Sequence, residues 1–215
     1  RASIPRFLRR DPCMDGSGII AGVPVGPLLW YCFVMGMTPG PNNLMLAASG
    51  MNFGMRRTLP HMLGVFTGFS ALVFCAGLGI GQLYAAAPGF QTGLRWVGAA
   101  FLVYLAWRIA AATRAEHPED ARPLRFLEAA AFQLANPKAW LFAITSAASF
   151  LSDEGLPAVL VLTAAGMAIT VLSTTTWTLF GTALARLIHG ERMHRVMNAA
   201  FALSLLALVP VILAP

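Results

Sequence analysis

Charge is what this sequence has least of. Only 11% of its 215 residues are charged, against about 25% in an ordinary soluble domain. Hydrophobic residues make up 57% and the mean hydropathy is +0.68, more apolar surface than a water-soluble fold can hide. The charges also cluster, leaving residues 16–55, 58–94, 155–185 and 196–215 without an Asp, Glu, Lys or Arg. Each stretch can hold a membrane helix, which needs about 20 residues to cross roughly 30 Å. The net charge is +6, but the arginines lie in short loops between apolar runs. They do not form the single basic face that nucleic-acid binding requires, and they read as topology signals.

Catalytic signatures are missing as well. There is no HExxH, CxxC, P-loop or GxSxG pattern, which argues against ATP hydrolysis and against an enzyme. No Asp or Glu stands well inside an apolar run, Glu128 being the nearest, so no mid-membrane carboxylate is available to carry a proton. An intramembrane enzyme acting on lipid or prenyl substrates would show His, Asp or Glu gathered near one membrane face. Cys13, Cys32 and Cys75 have no metal-ligand spacing, and the latter two sit in apolar runs as packing residues.

What remains is helix. Six spans follow: about 19–37 with a broken continuation through 50, then 62–84, 94–113, 130–151, 157–180 and 196–214. The expected fold is an all-α polytopic membrane protein. Residues 114–128, with their prolines and mixed charges, read as a cytoplasmic connector between a first unit (19–113) and a second (129–215). The units echo each other. Arg95 with Gly98-Ala99-Ala100-Phe101 matches Arg195 with Asn198-Ala199-Ala200-Phe201, Leu59-Pro60 matches Leu156-Pro157, and Pro41 matches Pro137, at offsets of 100, 97 and 96. Three helices per unit make the second enter the membrane from the opposite side, giving two inverted three-helix repeats of the kind found in secondary transporters.

Arginine counts orient the chain. Arg56, Arg57, Arg108, Arg114, Arg122, Arg125, Arg186, Arg192 and Arg195 fall on one side, and only Arg95 and the four arginines of the tail on the other. The positive-inside rule makes the first side cytoplasmic and puts both termini outside. The basic tail, residues 1–18, resembles the n-region of a signal peptide but lacks a small-residue cleavage pattern. It reads as disordered or non-native, with Met14 as the initiator.

Chemistry concentrates at Thr38-Pro39-Gly40-Pro41-Asn42-Asn43. These residues stand about 15 positions into the first apolar run, roughly 22 Å along a helix and short of a full crossing. Two prolines and a glycine break the helix, and broken backbone at membrane depth is tolerated only where protein or a wet cavity satisfies it. A helix restarting at Pro41 would offer free N–H groups and a positive dipole end to a carboxylate, while the opened carbonyls take an ammonium. A simple proline kink, or a turn at the membrane surface, would leave the same sequence trace.

The second unit has its own candidates in Gln133, Asn136, Pro137 and Lys138. Pro137 reads as a first-turn proline near the start of the fourth span. Lys138 either snorkels to the interface or lines an aqueous path. The hydroxyls of the fifth span, Thr163, Thr170, Ser173, Thr174, Thr175, Thr176 and Thr178, either bond neighbouring backbone or line a polar route. His61, beside Arg56 and Arg57, is either interfacial or a proton relay. Lys138 and His61 are the two proton-coupling candidates.

Three blocks, TPGPNNLMLAASGMNFGMRRTLPHMLGVFTGF, RWVGAAFLVYLAWRIA and FQLANPKAW, together resemble the LysE/RhtB family of amino-acid exporters, from about residue 24 to the C-terminus. The resemblance implies a cytoplasmic-membrane protein of six hydrophobic segments that expels amino acids or close derivatives. It implies drive by the proton gradient or by exchange, no prosthetic group, and compatibility with homo-oligomers. The family's PGP motif falls on Pro39, Gly40 and Pro41, and its NPK motif on Asn136, Pro137 and Lys138. Many members carry Asp directly after PGP, where this chain has Asn42. An intramembrane cation is stable mainly when paired, so a neutral substrate is favoured, and the TPGPNN form looks most like the cysteine and O-acetylserine exporter branch. The expected site lies between the PGP break and the NPK region, lined by Thr38, Asn42, Asn43, Gln133, Asn136 and Lys138. The alternative is a passive channel or a non-transporting membrane subunit.

Overall fold

The structure, a computed structural model, describes residues 18–111, 122–151 and 155–214. The basic tail up to residue 17 and most of the 114–128 connector lie outside the described residues. The chain is almost entirely helical. A two-residue β pair, β1 (Ile19–Ile20) with β2 (Val23–Pro24), precedes α1 (Val25–Met37) and α2 (Pro41–Cys75). A π-helical turn (Ala76–Ile80) leads into α3 (Gly81–Ala85), α4 (Pro88–Ala111), α5 (Phe126–Ala135), α6 (Pro137–Phe150), α7 (Gly155–Leu187) and α8 (Glu191–Leu213).

The first helix starts at Val25 rather than at 19. Ala21 and Gly22 take φ of 49° and 75°, the pair of positive values that a tight two-residue hairpin turn demands, and Pro24 is extended. The fourth span differs too, because it begins at Phe126 and is broken at Asn136. One rule makes both proline breaks. Proline pushes the residue before it out of the helical region, and Thr38 (ψ 141°), Gly40 (ψ 176°) and Asn136 (ψ 107°) are all extended ahead of Pro39, Pro41 and Pro137. Pro41 and Pro137 then open new helices, where a missing N–H costs nothing.

A third interruption has no proline. Gly54 sits at φ 74° and ψ 172°, a conformation essentially reserved for glycine. The hydroxyls of Ser49 and Thr58 are 2.9 Å apart, whereas nine residues of straight helix would separate them by roughly 13 Å. The chain therefore doubles back at Gly54, and α2 is two arms, 41–53 and 55–75. Gly54→Ala is expected to cost about 1–3 kcal/mol, read as a lower thermal midpoint of the detergent-solubilised protein; an unchanged midpoint would refute the strained turn.

Packing relies on small residues at the crossings, the usual device for bringing membrane helices close. A Cβ on Gly50 would sit on the backbone carbonyl of Thr178, and one on Gly181 on that of Ala47, so the first arm of α2 lies directly against α7. Gly64 and Gly68 press the second arm against the backbone of α5, at Phe126 and Ala130, and Gly98 of α4 meets Ala135. One buried cluster joins Leu28, Val73, Phe142 and Leu162, and another joins Met45, Val65, Leu102, Phe132 and Leu205. Asn52 and Asn198 tie α2 to α8 by reciprocal amide bonds of 2.8 and 3.0 Å.

The outside is as apolar as the inside, with Trp30, Trp96, Trp107, Leu203 and Val211 all exposed. A surface of that kind belongs against lipid. Helices long and apolar enough to cross a membrane are Pro41–Ile80, with its reversal at Gly54, Pro88–Ala111, Gly155–Leu187 and Glu191–Leu213; α1 and α5 are shorter apolar helices. The chain is an integral membrane protein.

Candidate functional site

The two proline breaks meet. Lys138, the only lysine in the chain, opens α6 and reaches across to the end of α1. Its Nζ donates to the Thr38 carbonyl at 2.6 Å and to the Thr38 hydroxyl at 2.9 Å. Asn42 and Gln133 exchange amide bonds, Nδ2 to Oε1 at 2.7 Å and Nε2 to Oδ1 at 3.2 Å. A cavity of about 60 Å³ lies between the breaks, with Gly40, Asn42, Asn43, Asn136, Lys138 and Ser173 among its walls and Phe69, Phe142 and Ile169 as its apolar side.

Each break satisfies its own backbone differently. Asn136 caps α6, its Oδ1 accepting the Lys138 N–H at 3.1 Å, as an N-cap asparagine does. Asn43 closes the first break: its Nδ2 donates to the carbonyls of Gly36 (3.0 Å) and Thr38 (2.8 Å), and its Oδ1 accepts from Ser173 at 3.2 Å. Ser173 also donates to the Gly36 carbonyl at 2.8 Å. The start of α2, by contrast, has no side-chain cap, which leaves the N–H groups of Asn42 and Asn43 at a positive dipole end beside Lys138.

The residues singled out from the sequence thus fall into two groups. Gln133, Asn43 and Asn136 are buried and hold the breaks in shape, while Thr38, Asn42 and Lys138 are accessible. Pro39, Gly40, Pro41 and Pro137 shape the backbone. His61 is elsewhere: it is buried, with neither ring nitrogen bonded to any described residue, and it faces a second cavity. Among the hydroxyls of α7, Thr163 and Thr170 bond the preceding turn of their own helix, while Thr170, Ser173 and Thr174 also line the break cavity.

Sequence reasoning did not single out the Ser49–Thr58 and Asn52–Asn198 pairs. Polar side chains inside apolar runs were their only signal. Among the described residues no group of three or more His, Cys, Asp or Glu is placed to hold a metal ion.

The sequence profile of the LysE type translocator matches residues 33–213. The cysteine/O-acetylserine efflux proteins of Escherichia coli (strain K12) and Shigella flexneri are each 33% identical over 125 residues, and that of Escherichia coli O1:K1 / APEC 32% over the same length. The aligned stretch covers 58% of this chain and 64% of each relative, so the chain spans less than two thirds of the curated relatives it matches. No solved structure matches it. A profile match over most of the chain, on a helical membrane protein whose two proline breaks share a cavity, shows that the chain belongs to the LysE-type translocator family, a family of translocators rather than enzymes.

Proposed function

We propose that this protein exports a neutral amino acid or a close derivative, by alternating access to the cavity between the breaks, with the proton gradient as drive. The observation that carries the reading is the link from Lys138 to Thr38 across that cavity. The substrate carboxylate takes the ammonium of Lys138 and the uncapped N–H groups of α2, and the substrate ammonium takes the Thr38 carbonyl that Lys138 releases. Binding thereby exchanges a contact between the two units for contacts to the substrate, which is how a ligand with different affinity for two states shifts their balance.

The path of the chain supports six crossings arranged as two inverted three-helix units. Counting α1 with the first arm of α2 as one broken crossing, and α5 with α6 as another, gives each unit a crossing that reopens at a proline. The reversal at Gly54 then leaves Arg56 and Arg57 on the same side as Arg108 and Arg122. That side is cytoplasmic in this reading, with both termini outside.

Efflux of labelled cysteine, O-acetylserine, threonine, leucine and lysine from proteoliposomes, with and without an imposed proton gradient, tests the proposal. Gradient-dependent export of a neutral amino acid but not lysine is expected, and non-saturating, gradient-blind flux would identify a pore instead. Asn42→Asp should turn preference toward lysine, because Gln133 can keep donating Nε2–H to the new carboxylate while the charge pairs a cationic side chain. A variant that exports the same substrates in the same ratio would remove the neutral-substrate argument.

A further inference from the structure

The larger cavity is not the one between the breaks. A space of about 350 Å³, against about 60 Å³ there, opens beside the Gly54 reversal, walled by α2, the last turns of α4 and residues 122–124. His61, Ser49, Asn52, Tyr104, Arg108 and Arg122 supply its polar lining. His61 is 1% exposed and, among the described residues, bonds no atom through either ring nitrogen, an arrangement that costs free energy unless something else satisfies it. Ser49 and Asn52 are already engaged by Thr58 and Asn198.

Among the described residues, charge at the cavity does not balance. Arg122 is neutralised by Glu128, which its guanidinium grips at 2.6 and 2.8 Å. Arg108 donates to the Arg122 carbonyl at 2.6 Å and stands 5.7 Å from the Tyr104 ring centre. It has no carboxylate within ion-pair distance among the described residues. Among the described residues one positive charge is left over at a mostly apolar cavity that also presents a buried imidazole.

We propose that this cavity is an intake site for a zwitterionic amino acid on the arginine-rich face, with Arg108 holding the carboxylate and His61 accepting from the ammonium group. The proposal rests on the transport reading above. The two cavities lie one helical turn apart: Asn42 lines one and Met45 the other, and Val65 lines one and His61 the other. Met45 and Val65 are both buried in the same apolar cluster and form the partition the substrate passes. An anionic lipid headgroup shares the ligand chemistry, since Tyr104 and Trp107 at the rim are exposed.

The test uses Ala48→Cys, with Ala111→Cys as a second reporter, in the full chain with Cys13, Cys32 and Cys75 replaced by alanine. Each is reconstituted in phosphatidylcholine vesicles and treated with sulfonatoethyl and trimethylammonioethyl methanethiosulfonate. The anionic reagent is expected to react at least tenfold faster than the cationic one, relative to a free thiol. O-acetylserine should slow the reaction, and Arg108→Gln, which can still donate to the Arg122 carbonyl, should abolish the charge preference. A charge-blind thiol, a preference that survives Arg108→Gln, or no reaction at either position overturns the proposal. Protection by added phosphatidylglycerol but not by O-acetylserine assigns the cavity to lipid and overturns it too. Because modification is read without flux, wild-type efflux of O-acetylserine in the same vesicles judges the transport reading separately.

Discussion

Lys138→Met is expected to lower export by roughly 30- to 140-fold while leaving the protein folded. The side chain makes two charge-assisted hydrogen bonds to Thr38, and hydrogen bonds to charged groups contribute about 1.5–3 kcal/mol each. The Thr38 carbonyl keeps Asn43 as a donor, and Thr38 is exposed, so the break itself survives. Transport loses the one fixed charge that the described residues place at the cavity, about 2–3 kcal/mol of the binding that must differ between states, and each 1.4 kcal/mol is tenfold. Lys138→Arg keeps the charge and should recover part of the rate, because a guanidinium presents a planar fork where the site was built for a compact ammonium. Initial efflux rates in proteoliposomes, normalised to the amount of folded protein, give the comparison. A Lys138→Met variant that exports within a factor of two of the parent would end the role assigned to the lysine.

Gly181→Leu should fail to yield folded protein, and Gly181→Ala should lower stability by about 2–3 kcal/mol, at the upper end of what overpacking costs. The reason lies in what the new atom meets. A Cβ at Gly181 overlaps the carbonyl, C and Cα of Ala47, all backbone, and backbone in a packed helix cannot rotate aside as a flexible side chain does. Gly50 faces the same limit against Thr178, so the crossing of α2 and α7 is glycine on both sides. Gly89→Ala is the control, since no described residue lies within 4 Å of a Cβ there. Monodisperse elution and thermal midpoint in detergent report the outcome. A stable Gly181→Leu would mean that the two helices are not in contact at this depth.

Much of the site was legible in the sequence because it is built from departures. Prolines at 39, 41 and 137 cannot continue a helix, and a lysine at 138 is costly in an apolar run, so each announces itself one residue at a time. The partnerships were not legible. That Asn42 meets Gln133 across 91 positions, or that Asn43 closes one break while Asn136 caps the other, depends on how two distant segments pack. His61 shows the gap most plainly. Its neighbours Arg56 and Arg57 allowed an interfacial histidine, yet the turn at Gly54 folds the first arm of α2 back beside it and buries it.

By itself, then, the sequence determined the solvent of this protein, its helical class and the position of its first break, while the interruptions at Asn136 and Gly54 came from the structure. Hydropathy and proline act locally: about 20 apolar residues span a bilayer whatever surrounds them, and proline extends the residue before it in any context. Tertiary structure alone decided which breaks share a cavity, which asparagine seals backbone and which remains accessible, and where a second cavity opens beside Arg108. Those outcomes depend on the close approach of α2 to α7 and α5 at Gly50, Gly181, Gly64 and Gly68, and a glycine shows how near a neighbour may come but not which neighbour it will be.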